Sequence, residues 1–150
     1  MSPVPPISYA AAEMIGKNCL CARVQRASRS IGRRFDEAFR PVGLNNWQFT
    51  LLMTLNRPSP LTINGLAEEL GMDRTTTTKN LKPLERRGLL EIRQDEKDAR
   101  VRRIVLTDAG GALLAKAFRH WQAANNAVAG SLKGEDLPCI HAALETIAAG

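Results

Sequence analysis

The stretch LAEELGMDRTTTTKNLKPLERRGLL, residues 66–90, constrains the fold more than any other part of the chain. Two short amphipathic segments meet at Gly71, and the second begins on Asp73, a helix N-cap residue, and stops at Gly88. Thr62 opens the first segment, which reaches Leu70. Two helices joined by a tight glycine turn match a helix-turn-helix unit, with Leu66, Leu70 and Met72 as shared core and Ala67 small enough for close packing. Placing Thr77, Leu81 and Leu84 inward turns Thr75, Lys79, Lys82, Pro83 and Arg86 outward at 100° per residue, with Thr76 at the edge. Four consecutive threonines and an interior proline are poor choices for helix stability alone, so the outer face reads as a contact surface.

That face is small at its N-terminal end and basic beyond it. A helix entering the major groove of double-stranded DNA has this composition: threonine hydroxyls and methyls meet base edges, while lysines and arginines meet phosphates. The candidate reading residues are Arg74, Thr75, Thr76, Lys79, Asn80, Lys82 and Arg86. A polar surface helix kinked by proline is the alternative for this stretch taken alone. The next segment of the chain favours the first reading. LLEIRQ and VRRIVL are strand-like runs separated by DEKDAR, a hairpin with a charged tip too long for a two-residue turn. Arg93, Lys97, Arg100, Arg102 and Arg103 cluster on it, and Lys97, Arg100 and Arg102 are the candidates for a wing entering an adjacent minor groove.

Charge is sorted along the chain in the same sense. The formal net charge is +6. Residues 73–103 carry an excess of +4 and residues 17–40 an excess of +5, against −3 for everything else. An anionic partner fits this distribution better than a general solubility charge does. At 150 residues, 44% hydrophobic and 24% charged, one compact domain, or one domain extended by dimerisation elements, is expected. The start, MSPVPPISYAAAEMIG, lacks the basic front and apolar core of a secretion signal, and no apolar run reaches membrane-helix length. A cytoplasmic protein with no membrane partner is therefore expected, in keeping with three cysteines that make no disulfide framework.

The expected organisation is an N-terminal tail at 1–12, long helical regions at 13–40 and 107–150, and a winged helix-turn-helix at 41–106. In the first region an apolar stripe runs Leu20, Val24, Ala27, Ile31, Phe35, Ala38, predicting one long helix from about Glu13 to Phe39, with Arg26, Arg29, Arg33 and Arg40 opposite. A helix to Leu55 comes next, with Trp47, Leu51 and Leu55 on its buried side. Thr107 opens another long helix with a stripe at Leu114, Phe118, Trp121, Ala124, Val128 and Leu132. KGED ends it, and a last helix carries Leu137, Ile140, Leu144 and Ile147. The fold class is mostly α with a small β wing (α+β): a winged helix-turn-helix flanked by long helices, which the resemblance described next makes dimerisation helices.

The segments LNNWQFTLLMTL, LTINGLAEELGMDRTTTTKNLKPLERRGLLE and QDEKDARVRRIVLTDAG together resemble the MarR family of bacterial transcription regulators. The resemblance implies a homodimer held by the first helix and the last two, which represses a palindromic operator and is released by a small, often aromatic or phenolic, effector. Its wing arginine maps to Arg100, while Ala99 stands where many members have a second arginine, and Thr77 where a larger aliphatic residue is common.

Some relatives sense organic hydroperoxides through a first-helix cysteine, and Cys21 falls at about that position. The tyrosines that assist it there are replaced by Phe35 and Asn46. Cys21 is thus a candidate redox site, with a structural cysteine as the alternative. The pairs Cys19-x-Cys21 and Cys139-x-His141 do not share a helical face, so no metal site is expected. No cofactor is expected, nor an enzyme: there is no glycine-rich phosphate loop, no paired carboxylates, and neither His120 nor His141 is placed to activate a cysteine. A DNA-binding protein of architectural type, without sequence choice, is the remaining alternative.

Overall fold

The computed structural model describes residues 6–149. Its backbone divides between Arg34 and Phe35 into two compact units. In the first, α1 (Tyr9–Asn18) begins at Ser8, whose hydroxyl accepts from the Ala11 amide at 3.2 Å. The expected tail at 1–12 is therefore helical from Tyr9, and residues 1–5 lie outside the described residues. The single helix expected from Glu13 is two. Cys19 adopts an extended conformation and ends α1, its amide donating to the Ile15 carbonyl at 2.8 Å. It also starts α2 (Leu20–Phe39), its sulfur accepting from the Ala22 amide at 3.5 Å in the way a serine N-cap would. The apolar stripe begins at Leu20, past this joint, and so carries no sign of it.

Phe35 and Phe39, at the end of α2, belong to the second unit. Phe39 stacks on Phe49 with ring centroids 4.4 Å apart, and Phe35 lies 6.0 Å from Phe39. This packing moves the start of the unit to Phe35, ahead of the boundary expected at residue 41. A 3₁₀ turn, Arg40–Val42, leads to α3 (Asn46–Leu55), capped by Asn45 and Gln48 in a reciprocal capping box. Leu51 and Leu55 are buried as expected, but Trp47 is half exposed at 50%.

The two-residue strand β1 (Leu61–Thr62) leads into α4 (Ile63–Glu69), which Thr62 caps through the Gly65 amide at 2.9 Å. Then come α5 (Arg74–Arg86), β2 (Leu90–Gln94), β3 (Arg102–Leu106), α6 (Asp108–Ser131) and α7 (Leu137–Ala149). The three strands form one antiparallel sheet in the order β1-β3-β2, with Leu61 opposite Ile104 and Arg93 opposite Arg103. The hairpin is legible in the sequence; β1 is not, because two residues carry no alternation.

Two glycine turns set the angles of this unit. After α4, the Met72 amide donates to the Ala67 carbonyl and the Gly71 amide to that of Glu68, at 2.8 and 3.1 Å, with Gly71 at φ 61°. After α5 the same pair of bonds joins Leu89 to Leu84 and Gly88 to Glu85, with Gly88 at φ 69°. These closures satisfy the last carbonyls of each helix and need a left-handed residue, which glycine adopts without steric cost.

The core gathers Leu51 and Leu52 of α3, Leu66 of α4, Leu81 and Leu84 of α5, Leu90 and Ile104 of the sheet, and Ala117 of α6. Ala117 takes the place expected for Phe118, which is 49% exposed and stacked on Trp121 at 5.7 Å. Thr77 is fully buried, and its hydroxyl donates to the Asp73 carbonyl at 2.9 Å, so a polar residue sits in the core without an unsatisfied group. Leu81 and Leu84 are fully buried as well. Replacing Leu84 by alanine should cost about 3 kcal/mol through lost transfer energy and a residual cavity. Urea unfolding of the variant measures this; a change near zero would mean α5 is not anchored where the structure has it.

Candidate nucleic-acid interface

Burial of Thr77, Leu81 and Leu84 fixes the rotation of α5, so the expected outer residues emerge together. Arg74, Thr75, Thr76, Lys79, Lys82 and Arg86 are exposed, while Asn80 and Pro83 are half-buried. The helix continues through Pro83 to Arg86.

The four threonines divide by what their hydroxyls do. Thr76 donates its hydroxyl to Asp73 Oδ2 at 2.6 Å and its amide to Asp73 Oδ1 at 2.8 Å. Thr78 donates to the Arg74 carbonyl at 2.8 Å, and Thr77 is buried as described. Among the described residues, only Thr75 of the four has a hydroxyl with no partner. Thr76, a candidate reading residue at the edge of the outer face, has its hydroxyl donor engaged in capping the helix. The same two bonds hold the Asp73 carboxyl below its usual range, with the Thr76 hydroxyl the larger cause and the Thr76 amide the next.

The wing is organised around Asp95. Its Oδ1 accepts from the amides of Lys97 and Asp98 at 2.8 and 3.1 Å, an Asx-type turn, and its Oδ2 pairs with Arg103 Nε. Arg103 also donates to the Pro60 carbonyl at 3.0 Å, tying the wing to the segment before β1. Arg93 pairs with Glu91 at 2.6 Å. Two of the five cations clustered on the hairpin are thus occupied within the wing. Lys97 and Arg102 have no partner among the described residues, and Arg100, with its side chain 95% exposed, lies 3.7 Å from Asp98. Sequence reasoning missed Asp95 as the organising residue, although an aspartate at the start of a polar tip is the signature of such a turn.

Strand pairing and the helix-turn-helix bring the two sets together. Arg74 at the start of α5 and Arg100 and Arg102 of the wing line one cleft of about 290 Å³, with Thr62, Ile63, Asn64 and Val101 completing it. Three arginines from two elements far apart in sequence line one cleft, an arrangement that suits phosphate oxygens. Asn64 was not among the expected residues. Cys21 is exposed, its sulfur accepting from Gln25 Nε2 at 3.3 Å, while the Arg23 guanidinium donates to the Lys17 carbonyl. Asn46 donates from Nδ2 to Asp36 Oδ1 at 2.6 Å.

The bond to Arg103, and after it those from the Lys97 and Asp98 amides, lowers the Asp95 pKa to about 2. A carboxylate depressed in the folded state adds stability that is present above its unfolded value, near 3.8, and lost as pH falls through about 2. The wing should therefore keep its turn to well below pH 4, with the Asp95 carboxyl carbon titrating near 2 by NMR. A midpoint near 4 would mean that the Arg103 pair does not hold the tip.

Known proteins share this fold. A family model described as the MarR family matches residues 42–101. The organic hydroperoxide resistance transcriptional regulator of Bacillus subtilis is 29% identical over 133 residues, covering 87% of this chain and 88% of that protein. Among solved structures, the M. tuberculosis transcriptional regulator MosR in complex with DNA is 35% identical with a TM-score of 0.80, covering 87% of this chain and 94% of that one. The transcriptional repressor CouR bound to a 23-mer DNA duplex is 26% identical with a TM-score of 0.80, covering 96% and 99% of the two chains. No helix among the described residues is long and apolar enough to cross a membrane. The relatives are regulators, the fold is theirs over nearly the whole chain, and the chain belongs to the MarR family of winged helix-turn-helix DNA-binding transcriptional regulators.

Proposed function

We propose that the protein is a homodimeric repressor that grips a palindromic operator through α5 and the wing and lets go when a small apolar or aromatic effector binds. The observation that carries the DNA-reading surface is the common cleft lined by Arg74, Arg100 and Arg102, which brings the start of α5 and the wing together. In this reading Thr75 meets a base edge, with the Thr76 methyl beside it. Lys79, Lys82 and Arg86 follow the flanking backbone, and Asn80 stands behind them. Lys97, Arg100 and Arg102 enter the neighbouring minor groove.

A second copy of the chain is supported by apolar surface left open. The 13-residue α7 buries none of its residues, and Leu144 and Ile147 are half exposed. In the first unit α1 also buries none, and Met14, Ile15 and Leu20 are exposed. Continuous apolar faces of this kind are covered in obligate dimers. Two copies would place their α5 helices roughly 34 Å apart, one turn of DNA, with half-sites about 10 base pairs apart. The effector has a candidate seat in a cleft of about 330 Å³ between α3 and α6, lined by Phe49, Met53, Leu114 and Phe118.

Repeated selection from random duplex DNA should enrich a palindrome; retention without enrichment would point instead to an architectural protein. On the enriched site, Arg100→Ala should lower the slope of log affinity against log salt by about one unit. Thr75→Ala should change base preference, whereas Thr76→Ala should mainly loosen the start of α5. If both threonine variants select the wild-type sequence, the reading surface lies elsewhere.

A thiol-based reading of the same regulator rests on the exposure of Cys21 and on similarity to a regulator of organic hydroperoxide resistance. Oxidation of Cys21 would then replace effector binding as the release signal. Organic hydroperoxide should weaken operator binding by the wild type and leave Cys21→Ser unaffected; unchanged wild-type affinity removes this reading.

A further inference from the structure

The C-terminal end of α5 is attached to the protein at two successive residues, and the attachments run to different places. Arg87 Nη1 donates to the Gly43 carbonyl at 2.8 Å, on the elbow that leads into α3. Gly88 is held from the other direction: its carbonyl accepts the Thr107 hydroxyl at 2.7 Å, at the start of α6. The Thr107 amide donates to the Leu89 carbonyl at 3.2 Å, and the Gly110 amide donates back to the Thr107 hydroxyl at 3.0 Å. Gly110 also lies directly beneath Leu89. A Cβ at that position would stand 2.0 Å from the Leu89 carbonyl oxygen and 2.7 Å from Leu106 Cδ1, so only glycine admits this approach of α6 to the end of the recognition helix. The same part of α6 that forms the attachment continues into Gly111, Leu114 and Phe118, one wall of the cleft whose other wall is Phe49 and Met53 of α3.

We propose that Thr107 and Gly110 are positioning residues that couple the α3–α6 cleft to the tilt of α5. This rests on the effector-release reading and assigns the residues that transmit it. Consecutive Cα atoms are held about 3.8 Å apart across a rigid peptide, so attachments to residues 87 and 88 cannot separate freely. When an occupant pushes α6 away from α3, one attachment must give way. The attachment to α6 consists of two hydrogen bonds and a close backbone contact; the attachment to the α3 elbow is a single bond from an exposed arginine. The end of α5 therefore follows α6 and the Arg87 bond opens. At 1.5 Å per residue, α5 is a lever of about 20 Å, and a tilt of about 5° at its C-terminus moves Thr75 by about 2 Å. Hydrogen bonds to base edges do not survive a displacement of that size.

The experiment uses a built-in occupant in place of an unidentified effector. Ala115 lines the cleft, and Ala115→Trp fills it. Operator affinity is measured with and without this wedge in four backgrounds. In the wild type the wedge should weaken binding about ten-fold, within the usual range for coupled sites. With Thr107→Val the weakening should fall below about two-fold, and Thr107→Ser, which keeps the hydroxyl, should restore it. With Arg87→Met, which removes the competing attachment, the wedge should act at least as strongly as in the wild type. One factor common to all four backgrounds overturns the proposal, as does a wedge without effect on wild type. A spin-label distance between positions 56 and 79, measured without DNA on a chain with Cys19, Cys21 and Cys139 replaced by serine, separates this proposal from the repressor reading. A wedge-induced shift that vanishes with Thr107→Val supports the coupling even if no operator is selected, and no shift overturns it whatever the DNA result.

Discussion

The rotation of α5 about its own axis is the constraint on which the rest depends. Three inward positions, Thr77, Leu81 and Leu84, are fully buried, and each leucine contributes about 2 kcal/mol from burial. A turn of about 100°, one residue's worth, would bury a lysine or expose a leucine, so no neighbouring rotation is available. Everything the helix offers outward is a consequence. Arg74 reaches the wing cleft, Thr75 keeps a free hydroxyl, and Thr76 lies where its hydroxyl and amide both return to Asp73. Glycine turns at 71 and 88 then fix where the helix begins and ends relative to α4 and the sheet.

Electrostatics shape the wing in a different way. The tip carries acidic residues among the cations, and these act locally: Asp95 holds the turn and occupies Arg103, Glu91 occupies Arg93, and Asp98 accepts from the Arg100 amide at 2.9 Å. The remaining cations are projected because their neighbours are tied down. The exposed Glu91–Arg93 pair adds little to global stability, and its effect is on side-chain direction. In the opposite direction along the chain, the end of α5 meets α6 through Thr107 and Gly110, so the part of the molecule that faces an anion and the part that borders the apolar cleft share one short junction.

Much of this is legible in the sequence. The helix-turn-helix, its inward residues, its caps at Thr62, Asp73 and Thr107, and the two hairpin strands all come from local rules that act within a few residues. The expectations that missed share a cause. The break at Cys19 lies ahead of the stripe, which begins at Leu20, so periodicity does not report it. Trp47 and Phe118 lie on apolar stripes, yet the single chain leaves each half exposed, because periodicity reports a face and not what covers it. Aromatic contact among Phe35, Phe39 and Phe49 draws the end of α2 into the winged unit, and no local signal marks that boundary.

The class of fold, the order of its elements and the sorting of positive charge onto one helix face and one hairpin follow from the amino-acid order alone. These depend on propensity, periodicity and capping, interactions whose partners are close in the chain. Tertiary structure alone decided which of the sorted groups remain available. Thr76 spends its hydroxyl on Asp73, Arg103 is drawn to Asp95 and Pro60, and Arg74 meets Arg100 and Arg102 across a cleft. It also decided that Gly110 must be glycine, since the carbonyl above it belongs to Leu89, on the far side of the hairpin in the chain. The physical reason is common to all of these: each depends on a distance between groups set by packing of the whole unit, and no rule of spacing along a chain contains that distance.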